Sequence, residues 1–558
     1  MHEVFLLCII SFPMIVAYKA AVVEFRPDNT NENRIQNNLD GYSTILRNLG
    51  RGAVDIIVFP EAGLLGLSAS INNRNAIYPY LEQIPEPNQD GLPTINPCID
   101  SSYSHDSILH QLSCFARDFE TVIVANMGEV QNCSGVKECS KDGRHQYNTN
   151  VIFESDGRLI ARYRKQNLYD PEKLLYDAGS ADSCVTFVTS FGTTFGTMTC
   201  FDLLYRNPGD CIVNKEHIKH VVVPTAWGNN FPFYMSIVIQ QAWSMKHRIN
   251  FLAANVQYVS YRGNSSKVTF TSSGSGIYSS GYAKEYFISD TSFSPGSGRV
   301  FVADLPDDPS VTTDLSHSEG TINNINGIKA RTSKYLKYKF LKGNNGTIKV
   351  KVIYYDNTVK TDNELICTLK YAIKSGVTEE TYAVGAYLGV NPRDDSFGYA
   401  VCDLVKCKSA NIKDCGVPVS AYTAETVFNT LHLTGSFPRS SDVYAGALGS
   451  GLQLLSPSIL EVDSTSVSVI GYKKPLLSLS LWTRVKFSPS TDNVTVIILW
   501  LWLGPLIAVL FVLILAIIGV AISTYCCYKR KQCCFEPTPG KDEEGQTLMK
   551  DVDQQNYN

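Results

Sequence analysis

The sequence lacks any block of lysine and arginine in its body, and its formal net charge over 558 residues is -4. Clustered positive charge is what holds a polyphosphate backbone, so this absence argues against a nucleic-acid partner. We also find no internal repeat and no long low-complexity tract, which excludes a solenoid of tandem units. With 44% hydrophobic and 18% charged residues, the composition is that of a folded globular chain. Its length favours two folded units.

Charge is absent from an apolar run near the N-terminus, residues 5–16. With Ala17 after it, this run resembles a secretory signal peptide over residues 1–17, although the usual basic residue before it is missing. The alternative is a buried first strand, but the next segment, AAVVEF at residues 20–25, already has that pattern. We therefore predict export from the cytosol.

A second uncharged stretch covers residues 493–528. Its apolar part exceeds the ~20 residues that cross a bilayer, so we predict a transmembrane helix over residues 496–525. The basic triplet at residues 529–531 is the flank expected on the cytoplasmic side, which makes residues 526–558 a cytoplasmic tail. A lipid-anchor signal would end in its apolar segment, whereas a polar tail follows here. The prediction is a single-pass type I protein of the cell membrane, with the large part before this helix extracellular or lumenal.

Cysteines outside the cytosol form disulfides unless something prevents it. The predicted exported part contains an odd number, eleven, so one free cysteine would leave ten for five bridges, whose pairings the sequence leaves open. The eleven are Cys98, Cys114, Cys133, Cys139, Cys184, Cys200, Cys211, Cys367, Cys402, Cys407 and Cys415. Glycosylation sequons fit the same compartment and lie at Asn132, Asn264, Asn345 and Asn493.

From about residue 20 to residue 305, short apolar runs alternate with helix-length segments. The runs are continuous and β-branched, as expected of strands that are covered on both faces. They are residues 54–61, 121–128, 220–227 and 249–256, and two of the candidate helices are residues 106–119 and 235–248. Asp156-Gly157 is a strong turn signal and predicts a hairpin between its flanking runs. The pattern indicates an α/β sandwich.

The pattern of apolar and turn-forming residues changes after residue 305. Strand-like segments, including residues 346–355, 382–390 and 431–437, are separated by Gly, Ser, Asp and Pro. Four cysteines fall between residues 367 and 415. This pattern predicts a second, smaller and mostly β domain over residues 306–490, which disulfides staple.

Three chemically useful side chains end strand-like runs of the first part. Glu61 ends the run of residues 54–61, Lys165 ends the second hairpin strand, and Cys200 ends FGTMTC. In an α/β sheet, functional groups collect where strands end and loops begin. Each residue has an ordinary explanation when taken singly. Such a glutamate is usually solvated, such a lysine usually lies on the surface, and an exported cysteine usually forms a disulfide.

Taken together, these three residues compose the machinery of an amidase. Because only a few per cent of a thiol is ionised at neutral pH, the Glu61 carboxylate would take the proton of Cys200 as the sulfur attacks. Lys165 and the backbone N–H of Phe201 would stabilise the charge that develops on the amide oxygen, where one such donor is commonly worth ~3 kcal/mol. Protonated Glu61 would then donate its proton to the leaving amine, and the carboxylate would later activate water for hydrolysis of the thioester. This chemistry needs no metal and no cofactor.

The segments FPEAGL, YRKQNLY and TCFDLLY resemble the three catalytic motifs of the nitrilase, or carbon-nitrogen hydrolase, superfamily. The stretches YPYLEQIPEP, GRHQYNTNVIF and VVPTAWGNNFPF are similar to its vanin/pantetheinase and biotinidase branch, and the likeness runs from about residue 18 to about residue 480. The resemblance implies a nitrilase-type αββα sandwich over residues 18–305. It also implies that residues 306–490 are the β-rich base domain of the vanins.

The resemblance also assigns roles to single residues. It implies that Glu61 is the general base and acid, that Lys165 stabilises the tetrahedral intermediate and that Cys200 is the nucleophile. Glu172, seven residues after Lys165, falls where the group has a further active-site glutamate that orients the catalytic residues. Cys200 is then the cysteine left unpaired.

The substrate implied by the resemblance is one of two vitamin amides. Vanins split pantetheine into pantothenate and cysteamine, and biotinidases split biocytin into biotin and lysine. Gln240 looks like the biotinidase pattern, whereas Ala242-Trp243 and residues 274–278 look like the vanin pattern. Trp227 is a candidate pocket wall, although an aromatic residue after a strand more often belongs to the core. We favour pantetheine, with biocytin as the alternative.

A hypothesis from another class is a cell-surface binding protein that keeps the amidase fold without using it. The long anchored exported part motivates it, but intact Glu61, Lys165 and Cys200 argue against it. The expected partners are therefore a small vitamin amide and the membrane, with the oligomeric state left open.

Overall fold

Most of the chain between Val16 and Val485 is described by the structure, which is a computed structural model. The described residues are 16–29, 32–67, 71–87, 94–135, 137–181, 183–261, 268–289, 293–311, 316–323, 329–330, 337–355, 360–374, 380–391, 394–416, 422–437, 442–485, 517–518 and 521. Most of the predicted signal peptide, nearly all of the predicted membrane span, the predicted tail and the sequons at Asn264 and Asn493 lie outside them. Within these ranges, no helix has the length and apolar character needed to cross a bilayer.

Six strands of the described chain form the first sheet. Its central strands run parallel because helices connect them, and its outer strands pair antiparallel. In spatial order the strands are Ser297–Pro306, Val16–Arg26, Ile56–Val58, Val122–Asn132, Arg144–Phe153 and Leu159–Arg164. The predicted hairpin is confirmed, because the last two strands pair across the Asp156-Gly157 turn, where Gly157 adopts φ +91°.

A second sheet contains seven strands of the described chain. Its parallel centre again follows from the apolar runs, since the predicted strands at residues 220–227 and 249–256 lie side by side. In spatial order the strands are Thr321–Asn323, Tyr282–Ser289, Ser275–Ser279, Asn250–Asn255, His220–Thr225, Thr194–Thr197 and Thr186–Val188. Two separate two-stranded pairs also form in this region. Tyr258–Tyr261 pairs with Val268–Ser272, and Asn230–Phe231 pairs with Lys329–Ala330.

The predicted helices are present with slightly shorter bounds. The helix Ile108–Phe119 begins after Ser107, whose hydroxyl accepts a hydrogen bond from the backbone N–H of His110. The helix Ser236–His247 replaces the predicted residues 235–248. The other α-helices of the described chain are Arg34–Leu49 and Arg74–Ile77. Single 3-10 or π turns lie at Tyr78–Tyr80, Asp170–Leu174, Cys200–Leu204, Cys211–Lys215, Pro309–Val311, Ile412–Asp414, Ser450–Leu452 and Pro457–Ile459.

The two sheets face each other, and helices cover their outer faces. Successive side chains of a strand point to opposite faces, so each sheet has an inner and an outer apolar layer. Between the sheets, Val22 and Ile56 of the first share a buried cluster with Val222 and Leu252 of the second. The outer layer of the first sheet packs on the helices Arg34–Leu49 and Ile108–Phe119, and that of the second packs on Ser236–His247. The predicted αββα sandwich is confirmed.

The described chain after residue 336 is β-rich, as predicted, and forms two further sheets. One has the order Lys337–Phe340, Tyr382–Asn391, Asp394–Lys406, Leu476–Val485 and Tyr444–Gly449. The other has the order Asn345–Tyr355, Lys360–Ile373, Phe428–Gly435, Ser466–Val469 and Leu460–Val462. Leu369 and Leu433 of one sheet meet Leu404 and Leu479 of the other in a buried cluster. This sandwich and the αββα sandwich belong to one compact unit, which extends to residue 487.

Five disulfides pair ten of the eleven cysteines of the predicted exported part. They join Cys98 to Cys114, Cys133 to Cys139, Cys184 to Cys211, Cys367 to Cys402 and Cys407 to Cys415. Each bridge lies within one of the two sandwiches and closes a short segment of chain. Cys200 is the free cysteine of the described residues.

Candidate active site

Glu61 lies in a turn three residues beyond the strand Ile56–Val58, rather than at its last position. The following residue, Ala62, adopts φ +53°, and its backbone N–H donates to Oδ1 of Asn126 at 3.0 Å. A positive φ is costly for a residue with a Cβ, so this hydrogen bond helps to hold the turn. The Glu61 side chain is thereby directed inward and is buried.

Lys165 directly follows the strand Leu159–Arg164, and its side chain is buried. Its ammonium donates to Oε1 of Glu61 at 2.6 Å and to Oε2 of Glu172 at 2.7 Å. Burial alone would lower the pKa of Lys165, but attraction by Glu172 and Glu61 raises that pKa well above its usual value. The ammonium is therefore a permanent positive charge between two carboxylates.

Glu172 completes this charged cluster from the short turn Asp170–Leu174. Its Oε2 accepts from the backbone N–H of Tyr169 at 2.8 Å as well as from Lys165. Burial raises the pKa of Glu172, and the Lys165 ammonium opposes that rise. The structure thus brings Glu61 together with Lys165 and Glu172, which lie more than 100 residues later in the sequence.

Asn148 joins the two carboxylates and was missed by the sequence analysis. One amide group donates from Nδ2 to Oε1 of Glu61 and to Oε1 of Glu172, both at 2.8 Å. Its Oδ1 accepts from Nδ2 of Asn126 at 2.6 Å. Both N–H donors of the Asn148 amide and its oxygen are engaged, so its orientation is determined. The available signal was a pair of amides, in VANMG and YNTNVIF, within otherwise apolar strands.

Cys200 is the first residue of the turn Cys200–Leu204, three residues beyond the strand Thr194–Thr197. It adopts φ +43° and is only 8% exposed. Burial raises the pKa of its thiol well above the usual value, Glu61 adds to this rise, and Lys165 and a backbone hydrogen bond from Ala226 oppose it. The sulfur is therefore a neutral thiol that lies within electrostatic reach of Glu61 and Lys165. Phe201 follows it in the same turn and is buried.

Asp202 anchors the turn that carries Cys200, and the sequence analysis missed it too. Its Oδ2 accepts from the backbone N–H of Thr199 at 2.9 Å and from the hydroxyl of Tyr163 at 2.7 Å. Its Oδ1 accepts from both the backbone N–H and the side-chain amide of Asn167. Because Tyr163 and Asn167 flank Lys165, this carboxylate fixes the position of the cysteine turn relative to the lysine.

Trp227 and Gln240, the two predicted pocket residues, are both buried. Trp227 follows Ala226, donates from Nε1 to the carbonyl of Tyr234 at 3.2 Å and packs against the Tyr234 ring at 4.8 Å between centroids. Gln240 donates to the carbonyl of Gly274 at 2.8 Å and accepts from the hydroxyl of Tyr278 at 3.1 Å. Both groups of the Gln240 amide are thus engaged within the protein, and its contact with substrate stays a prediction.

One grouping of metal-ligand residue types occurs in the described chain, at Cys184, Cys211 and Glu216. The two cysteines are joined to each other in a disulfide, so they offer no thiolate to a metal ion. Glu216 alone does not make a metal site.

Comparison with known proteins agrees with this arrangement. Residues 19–248 match the family model "Carbon-nitrogen hydrolase", and residues 332–486 match the family model "Vanin C-terminal domain". A pantetheinase from Bos taurus is 33% identical over 462 residues, which are 82% of this chain and 85% of that protein. A biotinidase from Takifugu rubripes is 33% identical over 452 residues, 76% of this chain and 83% of that protein.

A similar solved structure is an amidase from Nesterenkonia sp., with a TM-score of 0.37 and 17% sequence identity. It covers 53% of this chain and 94% of its own. The matched families and relatives define the class of the protein as a hydrolase of carbon–nitrogen bonds other than peptide bonds. Within that class, the chain belongs to the vanin/pantetheinase and biotinidase branch of the carbon-nitrogen hydrolase superfamily.

Proposed function

We propose that this protein hydrolyses pantetheine to pantothenate and cysteamine, with Cys200 as the nucleophile. The observation that carries the proposal is a buried free thiol beside a lysine held between two carboxylates. The choice of pantetheine is supported by relatives named pantetheinase, which match this chain over about four fifths of its length. The catalytic roles below are part of the same proposal.

In the first step, Cys200 Sγ attacks the amide carbon while Glu61 takes the thiol proton. A base is needed because burial keeps the thiol neutral at rest. Within the described chain, both hydrogen bonds recorded to Glu61 reach Oε1, which leaves Oε2 for the proton. Lys165 has three N–H donors and uses two of them on Glu61 and Glu172, so the third serves the developing oxyanion together with the N–H of Phe201.

In the second step, the tetrahedral intermediate collapses and the carbon–nitrogen bond breaks. Glu61 returns its proton to the leaving nitrogen, which departs as cysteamine, and pantothenate remains as a thioester on Cys200. Glu61 next removes a proton from water, whose oxygen attacks the thioester carbon. The carbon–sulfur bond breaks, the sulfur regains a proton from Glu61, and pantothenate is released. Glu172 and Asn148 position the lysine and the general base throughout.

The cellular setting belongs to the same proposal. We place the catalytic domain at residues 18–305 and the base domain at residues 306–490, after a signal peptide at residues 1–17. A membrane helix at residues 496–525 is supported by the absence of charge from residues 493–528. Of the sequons, Asn132 and Asn345 are exposed, as a glycosylated asparagine must be.

The test is release of cysteamine from pantetheine by the purified full chain in detergent, followed by mass spectrometry of both products. We expect turnover by the wild type and a loss of at least about 10³-fold in Cys200→Ala. Cys139→Ala, which opens an unrelated disulfide, is the cysteine control. Equal rates in the wild type and Cys200→Ala would refute the assignment of the nucleophile.

Biocytin is the second candidate substrate, because the relatives also include biotinidases. Both amides release a primary amine through the same chemistry, so one assay can measure kcat/KM for each. The comparison of the two values identifies the preferred substrate. Higher kcat/KM for biocytin than for pantetheine would overturn the choice of pantetheine and leave the catalytic mechanism intact.

A further inference from the structure

An aromatic chain leads from the nucleophile turn to the β-rich part of the protein. The ring of Phe201, next to Cys200, lies 5.6 Å from the ring of Tyr205 in edge contact. The guanidinium of Arg484 lies over the Tyr205 ring, 3.4 Å from its centroid. Arg484 belongs to the strand Leu476–Val485, so the β-rich part reaches a residue five positions after Cys200.

A second aromatic chain reaches the same place from another direction. Ala226, whose backbone hydrogen-bonds toward the Cys200 sulfur, precedes Trp227. The Trp227 ring contacts Tyr234, and the Tyr234 ring lies 5.8 Å from the ring of Tyr399 in edge contact. Tyr399 belongs to the strand Asp394–Lys406 of the β-rich part.

The ends of these two chains meet in one sheet. Tyr399 and Arg484 are directly opposite each other in the antiparallel pairing of Asp394–Lys406 with Leu476–Val485. Residues opposite each other in such a pair project from the same face, so both side chains lie on the face that packs against Tyr205 and Tyr234. Tyr399 and Trp482 also share one buried cluster with Cys200 and Trp227. Tyr205 and Tyr234 are half-buried and pack against this cluster, and Arg484 beside Tyr205 is half-buried too.

We propose that Tyr399 and Arg484 form the wall of the substrate site that selects the acyl part of the amide. This inference rests on the proposed function. The substrate class it favours is an amide whose acyl chain carries hydroxyl or carbonyl oxygens several atoms from the scissile carbonyl. The guanidinium donates to those oxygens, and the aromatic rings pack against the aliphatic chain.

The distance from Cys200 decides which part of the substrate meets this wall. Two ring contacts separate Arg484 from the nucleophile turn, with centroid distances of 5.6 Å and 3.4 Å. In pantetheine, the amine side beyond the scissile bond is two carbons and a sulfur, which is shorter than this path of two ring contacts. The acyl side is long and bears two hydroxyls and an amide. The acyl side is therefore the part that contacts Arg484.

The test compares two amides that share a leaving amine, pantetheine and N-acetylcysteamine, in the full chain in detergent. The readout is the ratio of their kcat/KM values, which cancels effects on the catalytic residues. We expect Arg484→Met to lower this ratio at least tenfold and Tyr399→Phe, which removes one oxygen only, to lower it about threefold. Lys474→Met, an exposed cation two residues before the same strand, is the matched control and should keep the wild-type ratio.

The ratio of kcat/KM values measured for each variant supports or overturns the role of the substituted residue. An unchanged ratio in a variant with wild-type thermal unfolding overturns the role of that residue, and Tyr399→Phe decides alone if Arg484→Met does not fold. If the wild type hydrolyses biocytin but not pantetheine, the proposed function fails separately. The ratio is then measured with biocytin and Nε-acetyl-lysine. A tenfold fall in Arg484→Met supports the wall with another acyl group, and an unchanged ratio overturns it.

Discussion

The side-chain amide of Asn148 donates to Oε1 of Glu61 at 2.8 Å. A residue in the middle of one strand thus orients a carboxylate that follows a different strand. The same amide holds Glu172, and Asn126 holds the amide in turn. The general base we propose is therefore oriented by a chain of two uncharged amide side chains as well as by Lys165.

We predict that Asn148→Ala lowers kcat by about 10- to 100-fold with little change in KM, because misplacement of a catalytic group by a fraction of an ångström costs rate rather than binding. Asn148→Asp replaces a donor by a third carboxylate, which disfavours ionisation of its neighbours. Its acid limb in the pH–rate profile should move to higher pH. Asn48→Ala, at an exposed helix position, is the control. A rise in KM alone would contradict the positioning role.

The reactivity of Cys200 gives a second prediction. Because burial raises the pKa of its thiol, the rate of alkylation by iodoacetamide should still increase above pH 9, where an ordinary thiol with a pKa near ~8.5 levels off. Mass spectrometry of the peptide that contains Cys200 measures the rate at each pH, with N-acetylcysteine as the reference thiol. A plateau below pH 8 would show that the thiol is activated rather than suppressed.

Asp202 gives a prediction about stability. Its buried carboxylate accepts from Thr199, Tyr163 and Asn167, and Asp202→Asn turns one acceptor into a donor that faces other donors. We expect a loss of about 1–3 kcal/mol in the free energy of unfolding, from the unsatisfied buried groups. Urea unfolding followed by tryptophan fluorescence measures it. Asp118→Asn, in an exposed pair, should change stability by less than about 0.5 kcal/mol. Equal effects of the two variants would contradict this account.

Glu24 gives a prediction about pH. It is fully buried in the strand Val16–Arg26, where the backbone N–H of Gly274 and the hydroxyl of Ser275 donate to it. Burial raises its pKa from 4.5 to about 7. The folded protein holds this proton more tightly than the unfolded chain. The associated stability is therefore complete below pH 4.5 and is lost as the pH rises through about 7.

Relative to Glu24→Gln, the wild type should lose about 3 kcal/mol of unfolding free energy between pH 4 and pH 8. Urea unfolding of both proteins across this range checks the difference. Glu319→Gln, at an exposed site, should run parallel to the wild type. A difference between wild type and Glu24→Gln that does not vary with pH would contradict the assigned pKa.

Much of the site could be predicted from the sequence because each catalytic motif and the strand before it are encoded by one short segment of chain. Glu61, Lys165 and Cys200 follow apolar runs that do form strands, and the odd cysteine count correctly leaves one cysteine free. The displacement of Glu61 and Cys200 by three residues beyond their strands was not predictable. It depends on positive-φ turns at Ala62 and Cys200, neither of which is a glycine.

The parts that were missed depend on contacts between distant segments. Whether Asn126 meets Asn148 depends on the register of Val122–Asn132 against Arg144–Phe153, and the pairing of cysteines depends on which loops meet. The change in the pattern of apolar and turn-forming residues after residue 305 predicts a separate β-rich region. It does not reveal that Tyr399 and Trp482 pack in the same cluster as Cys200. Such packing depends on which folded surfaces meet. The hydrophobic periodicity of a strand shows that one face is buried but does not identify the segment that covers it.

The antiparallel register that sets Tyr399 opposite Arg484 joins two strands that lie some seventy residues apart in the chain, Asp394–Lys406 and Leu476–Val485. A one-residue slip of these strands would turn one of the pair toward the opposite side of the sheet while most backbone hydrogen bonds re-form. If Tyr399 and Arg484 select the acyl group as we propose, insertions or deletions far from the sulfur would then alter which amides are accepted. In such a protein, new substrate preferences can evolve without any substitution among the groups that break the bond.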